Sequence, residues 1–252
     1  MKRFLALFLT AVMLLAFSGC THKSDLEKIK EKGKIVVGVT ELKPVNFKEN
    51  GEWTGFDTEL AKLFAKELGL EIEFKEIVWA ERYDELIDGN IDCVWNAMTV
   101  LRGEQLNVSL TNPYLANAQV MVMSEETQKK NLRDYDYKDL KFAVEDESSG
   151  ERCIFEQGYK NTYTVKSQMD ALKEIEKGNA DATLIDSILA DSVVGEGKTF
   201  PHLIKGLAFS SESCAVAFRK DSEMTDLFNE FIEKIRDEEL IDLANKYGLT
   251  LC

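Results

Sequence analysis

The chain has 252 residues with 31 Lys and Arg against 45 Asp and Glu, a net charge of −14 at pH 7, and 44% of its residues are apolar. So acidic a surface repels nucleic acid and anionic lipid and favours a soluble monomer, which argues against a nucleic-acid-binding role. Only His22 and His202 are available as imidazoles and Cys20, Cys93, Cys153, Cys214 and Cys252 form no C-x-x-C pair, so neither a metal site nor a cofactor is expected.

The first element in chain order is a leader. Lys2-Arg3 precede an apolar run from Phe4 to Phe17, and the small residues Ser18-Gly19 stand directly before Cys20. A membrane-spanning helix needs about 20 apolar residues, so this run, closed by Thr21-His22-Lys23-Ser24, reads as a signal peptide over residues 1–19. The Ser18-Gly19-Cys20 junction resembles the lipobox of bacterial lipoproteins. That resemblance implies that Cys20 carries a diacylglycerol and an acylated amino terminus, which together anchor the protein to the outer face of the cell membrane. Plain secretion, with Cys20 an ordinary thiol, is the alternative. Without the leader the body keeps 29 basic and 45 acidic residues, a charge of −16. Its roughly 230 residues suffice for two modest domains. The other four cysteines, irregularly spaced, are expected to be mostly free and buried.

Residues 20–33 read as a polar tether, after which strand and helix signals alternate. Lys34 to Val39 is a buried strand. Asp57 to Leu68 carries Leu60, Leu63, Phe64 and Leu68 three or four apart, with Asp57 placed to cap the start and Gly69 to stop the helix. A strand from Glu71 to Ile77, a helix across Glu81 to Ile87 and a strand from Ile91 to Trp95 follow. Such alternation predicts an α/β fold with a mostly parallel sheet.

One junction occurs twice. Leu86-Ile87-Asp88-Gly89-Asn90-Ile91-Asp92-Cys93 matches Glu174-Ile175-Glu176-Lys177-Gly178-Asn179-Ala180-Asp181-Ala182 in pattern: helix, Gly-Asn, apolar residue, Asp, strand. Either the two halves share one plan, or a common α/β junction has arisen twice. In open α/β sheets ligands sit beyond the carboxyl ends of strands, so the pattern directs attention to Asn96 to Arg102 and to Asp186-Ser187.

These residues carry a family pattern. Gly55-Phe56-Asp57-Thr58-Glu59-Leu60-Ala61 with Phe64-Ala65-Lys66-Glu67-Leu68-Gly69, Trp79 thirteen residues before Asp92, Asn112-Pro113-Tyr114 after Met98-Thr99, and the closing Ile241 to Gly248 resemble the family 3 extracellular solute-binding proteins of amino acid ABC importers. The resemblance covers nearly the whole body. It implies a two-lobed periplasmic-binding-protein type II fold: lobe 1 from 34–117 and 214–252, lobe 2 from 118–213, with hinge crossings near Ala118 to Val122 and Ser213 to Ala217. It also implies capture of an amino-acid-like solute and its delivery to the membrane subunits of an importer.

By the same resemblance Asp186 receives the α-ammonium, Trp79 packs on the solute side chain, Asn96, Ala97 and Thr99 offer donors to the carboxylate, and the Ser148-Ser149-Gly150 turn attracts an anion at a helix start. Each residue keeps a plainer alternative: Asp186 and Ser148 as helix caps, Trp79 as core, Asn96 to Thr99 as turn polarity. Trp53 and Trp95 are expected to be structural. The pattern is departed from twice, with Leu42 where an aromatic often covers the ligand and Glu104 where an arginine commonly clamps the α-carboxylate. Arg102, two positions earlier, is the substitute clamp; a ligand-facing Glu104 would instead select an amine or basic solute. Two rivals come from other classes. A dehydratase-like exported enzyme would use Glu41, Glu104 or Glu145 as its acid or base, and a ligand-sensing partner of a membrane receptor is the second.

Overall fold

A computed structural model of the chain describes residues 23–100, 107–131 and 137–252. Cys20, the leader, Arg102 and Glu104 lie outside the described residues.

The first described element, α1 (Asp25–Lys32), falls within the segment expected to be a tether. Its start is a capping box: the Ser24 hydroxyl accepts the Glu27 N–H while the Glu27 carboxylate accepts the Ser24 N–H. Ile29 is fully buried and Arg219 Nε donates to Asp25 at 2.6 Å, so the helix is part of the folded body. There follow β1 (Lys34–Val39), the hairpin β2 (Phe47–Glu49) and β3 (Glu52–Thr54), α2 (Phe56–Glu67), β4 (Glu71–Glu76), a 3-10 turn at Trp79–Glu81, α3 (Arg82–Ile87), β5 (Cys93–Thr99), β6 (Val108–Leu110) and β7 (Leu115–Asn117). Next come β8 (Gln119–Ser124), α4 (Glu125–Asn131), β9 (Phe142–Glu145), α5 (Ser149–Glu156), β10 (Thr162–Val165), α6 (Gln168–Glu176), β11 (Ala182–Asp186), α7 (Ser187–Val193) and β12 (Leu203–Ala208). The chain closes with β13 (Glu212–Arg219), α8 (Met224–Ile235) and α9 (Glu239–Tyr247).

Two sheets organise the molecule. The first runs β4-β1-β5-β13-β6 with β7 also on β13, and the second runs β10-β9-β11-β8-β12. In each, the central strand has a parallel neighbour on one side, β1 beside β5 and β9 beside β11, and an antiparallel one on the other, β13 and β8. The repeated junction is the local expression of that shared plan. Asn90 and Ile91 both donate to the Glu85 carbonyl, as Asn179 and Ala180 both donate to that of Glu174, with Gly89 and Gly178 at φ 77 and 73 turning the chain out of the helix. The aspartates then stitch each central strand to its neighbour: Asp92 Oδ2 accepts the Val36 N–H, and Asp181 Oδ2 accepts the Lys141 N–H, both at 2.8 Å.

Apolar side chains pack on both faces of the two sheets. Around the first sheet, Trp95 and Phe228 meet edge to face with ring centroids 5.0 Å apart, and Phe64 packs on Phe228 at 5.5 Å. Trp95 is thus structural, as expected. Met121, Met123, Phe142, Val144, Ile154 and Leu184 pack on one face of the second sheet, with Val122, Ala143 and Ile185 on the other. Cys93, Cys153 and Cys214 are free and buried, whereas Cys252 is free but exposed. Helix α2 differs from expectation at its start: Gly55 holds the cap position, and Asp57, inside the first turn, is buried without capping.

The chain passes between the sheets twice, from β7 to β8 through Ala118 and from β12 to β13 through residues 209–211. The stretch 213–217 lies within β13 on the first sheet, a few residues after the second passage. The two connections run side by side, for β7 pairs with β13 through Asn117 and Glu212, and β8 pairs with β12 through Val120 and Ala208. Paired extended segments of this kind bend without loss of structure.

Candidate functional site

A cavity of about 470 Å³ lies where the two sheets face one another. From the first sheet it takes Thr40, Glu41 and Leu42 after β1, Trp79, Arg82 and Tyr83 around the start of α3, and the end of β5. The second sheet contributes Glu145, then Glu147, Ser148, Ser149, Glu151, Arg152 and Phe155 around α5, with Ser167-Gln168 and Asp186. Trp79, Asn96, Ala97, Thr99, Ser148, Ser149 and Asp186 are therefore gathered on one cavity, although they come from both halves of the chain.

Asp186 ends β11 and is 7% exposed. Its side chain makes no cap to α7, the plainer alternative for this residue. Instead three amide donors hold it: Asn117 Nδ2 at 2.5 Å and Gln119 Nε2 at 2.7 Å on Oδ1, and Gln168 Nε2 at 2.5 Å on Oδ2. Burial pushes its pKa up, against the pull of these donors. Glu145, 6% exposed at the end of β9, is pushed to about 8, first by burial and then by the charge of Asp186. Two acidic groups thus share a desolvated wall, a setting that a positively charged guest relieves.

The β5 end departs from expectation. The strand runs on through Thr99 rather than stopping at Trp95, and its register against β13 slips, with Val94 opposite Ala217 but Met98 opposite Ala215. Ala97 sits in this irregularity at φ 47. Its N–H donates to Asp57 Oδ2 at 2.8 Å, and Tyr114 Oη donates to Asp57 Oδ1 at 2.8 Å. The Ala97 donor is thereby occupied within the protein, and the buried Asp57, pushed to about 6 by burial, serves the shape of the strand end. Asn96 is likewise engaged, accepting from Thr40 N–H and Asn46 Nδ2 and donating to Thr40 Oγ1. The Thr99 hydroxyl donates to Glu212 Oε2 at 2.8 Å. Ser148 does cap α5, accepting the Glu151 N–H at 3.1 Å, while it also borders the cavity.

Sequence reasoning missed Arg82, Gln168, Asn117, Gln119 and Glu212. Asn117, Gln119 and Glu212 flank the passages between sheets, and Gln119 Nε2 joins Asp186 to Glu212, with the second contact 3.1 Å long. No local signal could have assembled them, because Gln119 and Asp186 are 67 positions apart.

The chain matches the bacterial extracellular solute-binding proteins, family 3, over residues 35–250. It belongs to this family. Among relatives of the family-3 protein is the arginine-binding extracellular protein ArtP of Bacillus subtilis, 28% identical over 98% of each chain. The L-cystine-binding protein TcyJ of Escherichia coli is 29% identical over 84% of this chain and 82% of its own. Among solved structures, the ancestral amino acid-binding protein AncCDT-1, a precursor of cyclohexadienyl dehydratase, is 28% identical with a TM-score of 0.79, covering 89% of this chain and 99% of that one. The two-lobed type II fold with two crossings is accordingly the fold of this family-3 protein.

Proposed function

We propose that the protein captures an amino acid between its lobes, outside the cytoplasm, and delivers it to an ABC importer. The observation that carries this reading is Asp186: a buried carboxylate at a strand end, held by three amides, in the wall of a cavity that both sheets line. It would receive the α-ammonium. Trp79 would pack on the side chain, and Thr99, Ser148 and Ser149, with Asn96 and Ala97 shaping the β5 end, would surround the remainder; Arg102 is proposed beside them. The lobes are proposed as 34–117 with 214–252 and 118–213, and the anchor as a lipid on Cys20 after removal of residues 1–19. Relatives named for arginine, cystine and amino acid binding support the solute class.

The deciding experiment is a thermal-shift screen of the standard L-amino acids and L-cystine. A saturable rise in melting temperature with the ligand recovered unchanged is expected, since a ligand at about 100 times its Kd adds about 2.7 kcal/mol. If none shifts the melt, or if prephenate or arogenate is turned over, binding of amino acids is the wrong reading. The anchor is tested separately: a Cys20→Ser variant should leave the membrane fraction, and retention after a salt wash would refute lipidation there.

A further inference from the structure

Among the described residues that line the cavity, the cationic side chains belong to Arg82 and Arg152. Arg152 keeps a third of its side chain exposed and pairs with Glu156 at 3.7 Å. Arg82 is buried, at 6% exposure, with its guanidinium carbon 4.6 Å from the Trp79 ring centroid and 4.4 Å from that of Tyr83. Nη1 donates to the Trp79 carbonyl at 2.8 Å, and Nη2 to the Glu147 carbonyl at 3.3 Å. The Glu147 carboxylate stands 3.5 Å from Nη1 and is mostly exposed, so it is a weak partner. The Arg82 Nε–H is buried and has no hydrogen-bond partner among the described residues.

A guanidinium in a cavity wall whose ion-pair partner is 3.5 Å away and mostly exposed is under-compensated, because buried charges are normally paired. We infer that Arg82 receives the negative group of the solute, the α-carboxylate if the solute is an amino acid. The assignment rests on the amino-acid reading given above. It makes the cavity bipolar, with Asp186 and Glu145 for the ammonium and Arg82 for the carboxylate. The aromatic contacts of Trp79 and Tyr83 suit the planar guanidinium fork and shield it from water, which strengthens a charge-assisted pair with a carboxylate. Glu147 belongs to the turn before α5, whereas Arg82 begins α3, so their contact joins the two sides of the cavity. A solute carboxylate would take over the role that the Glu147 side chain fills weakly. The clamp would then come from α3.

Calorimetric titration of the wild type, Arg82→Gln, Arg82→Lys and Glu147→Ala decides the matter. The probes are the standard L-amino acids and L-cystine, and, for each that binds the wild type, its α-carboxamide. We expect Arg82→Gln to weaken the amino acid by roughly 10- to 100-fold, the range set by a charge-assisted hydrogen bond. The carboxamide should change by no more than about threefold on the same principle, so the preference for acid over amide collapses. Arg82→Lys, which keeps the charge, should restore that preference in part, and it carries the test if Arg82→Gln does not fold. Glu147→Ala should leave affinity equal or higher. Unchanged binding by Arg82→Gln overturns the assignment. So does equal weakening of acid and amide by both Arg82→Gln and Glu147→Ala, which would make Arg82 a tie between lobes. A folded wild type that binds no amino acid overturns the parent reading, and this assignment with it.

Discussion

Asp186 and Gln168 grip each other from both sides: Gln168 Nε2 donates to Asp186 Oδ2 at 2.5 Å, and the Asp186 N–H donates to Gln168 Oε1 at 3.0 Å. The amide at the first turn of α6 thus fixes both the backbone and the carboxylate at the end of β11. Such a pair leaves Asp186 little freedom to turn away from the cavity.

Asp186→Asn should separate binding from folding. With an NH₂ in place of one oxygen, at least one of the donors from Asn117, Gln119 and Gln168 faces another donor, which costs about 1–3 kcal/mol. Removal of a buried charge that burial disfavours works the other way, so the ligand-free melt should move little, and the amino acid response should vanish. A variant that still responds to the amino acid fully would show that the ammonium lies elsewhere.

Glu145 predicts a falling stability with rising pH. Its carboxyl, lifted from 4.5 to about 8 by burial and by Asp186, keeps its proton in the folded state where the unfolded chain loses it. Its contribution is complete below about pH 4.5 and is lost as the pH rises through about 8. The slope is at most about 1.4 kcal/mol per pH unit. Asp57, lifted to about 6, and Asp186 act in the same direction, so the comparison that isolates this group is wild type against Glu145→Gln. Urea unfolding at pH 5, 6, 7 and 8 should show a flatter profile in the variant; parallel profiles would assign the slope to other groups.

Gly150→Ala should disturb the start of α5. A Cβ there would lie 2.3 Å from the Leu184 carbonyl oxygen, so the helix must lift off β11. Overpacking of this kind costs about 1–3 kcal/mol, read by chemical denaturation. Because Ser148 and Ser149 move with the helix, affinity should fall as well. An unchanged unfolding midpoint would contradict the close approach.

The paired junctions should respond unequally to removal of their aspartates. Asp92 is 2% exposed and also binds Arg219 at 2.9 Å and Lys32 at 2.5 Å. Breaking a buried ion pair costs about 3–5 kcal/mol, against about 1 kcal/mol for a solvated hydrogen bond. Asp92→Ala should therefore destabilise much more than Asp181→Ala, whose bond to the Lys141 N–H is exposed. Equal losses in urea midpoint would mean that the shared backbone stitch, not the ion pair, sets the energy.

Local physics carries much of this protein in plain view. The β1 bounds, the i, i+4 spacing of Leu60 and Phe64, and the two Gly-Asn-x-Asp junctions depend on residues within a few positions of each other, and the structure bears each of them out. Charge and composition likewise argue about partners without any knowledge of contacts. What the tertiary structure alone decided are the pairings across long separations. Asp57 was legible as a helix cap, yet it belongs to Ala97 and Tyr114, 40 and 57 positions away. Asp186 was equally plausible as a cap, and only the approach of Asn117, Gln119 and Gln168 gives its carboxylate another set of partners. Arg82 carried no signal beyond its nearness to Trp79, because a guanidinium becomes a site only when burial strips its water and leaves an N–H unpaired. Hydrophobic period and turn chemistry act over one or two turns of chain, whereas desolvation depends on which distant segments close over a group.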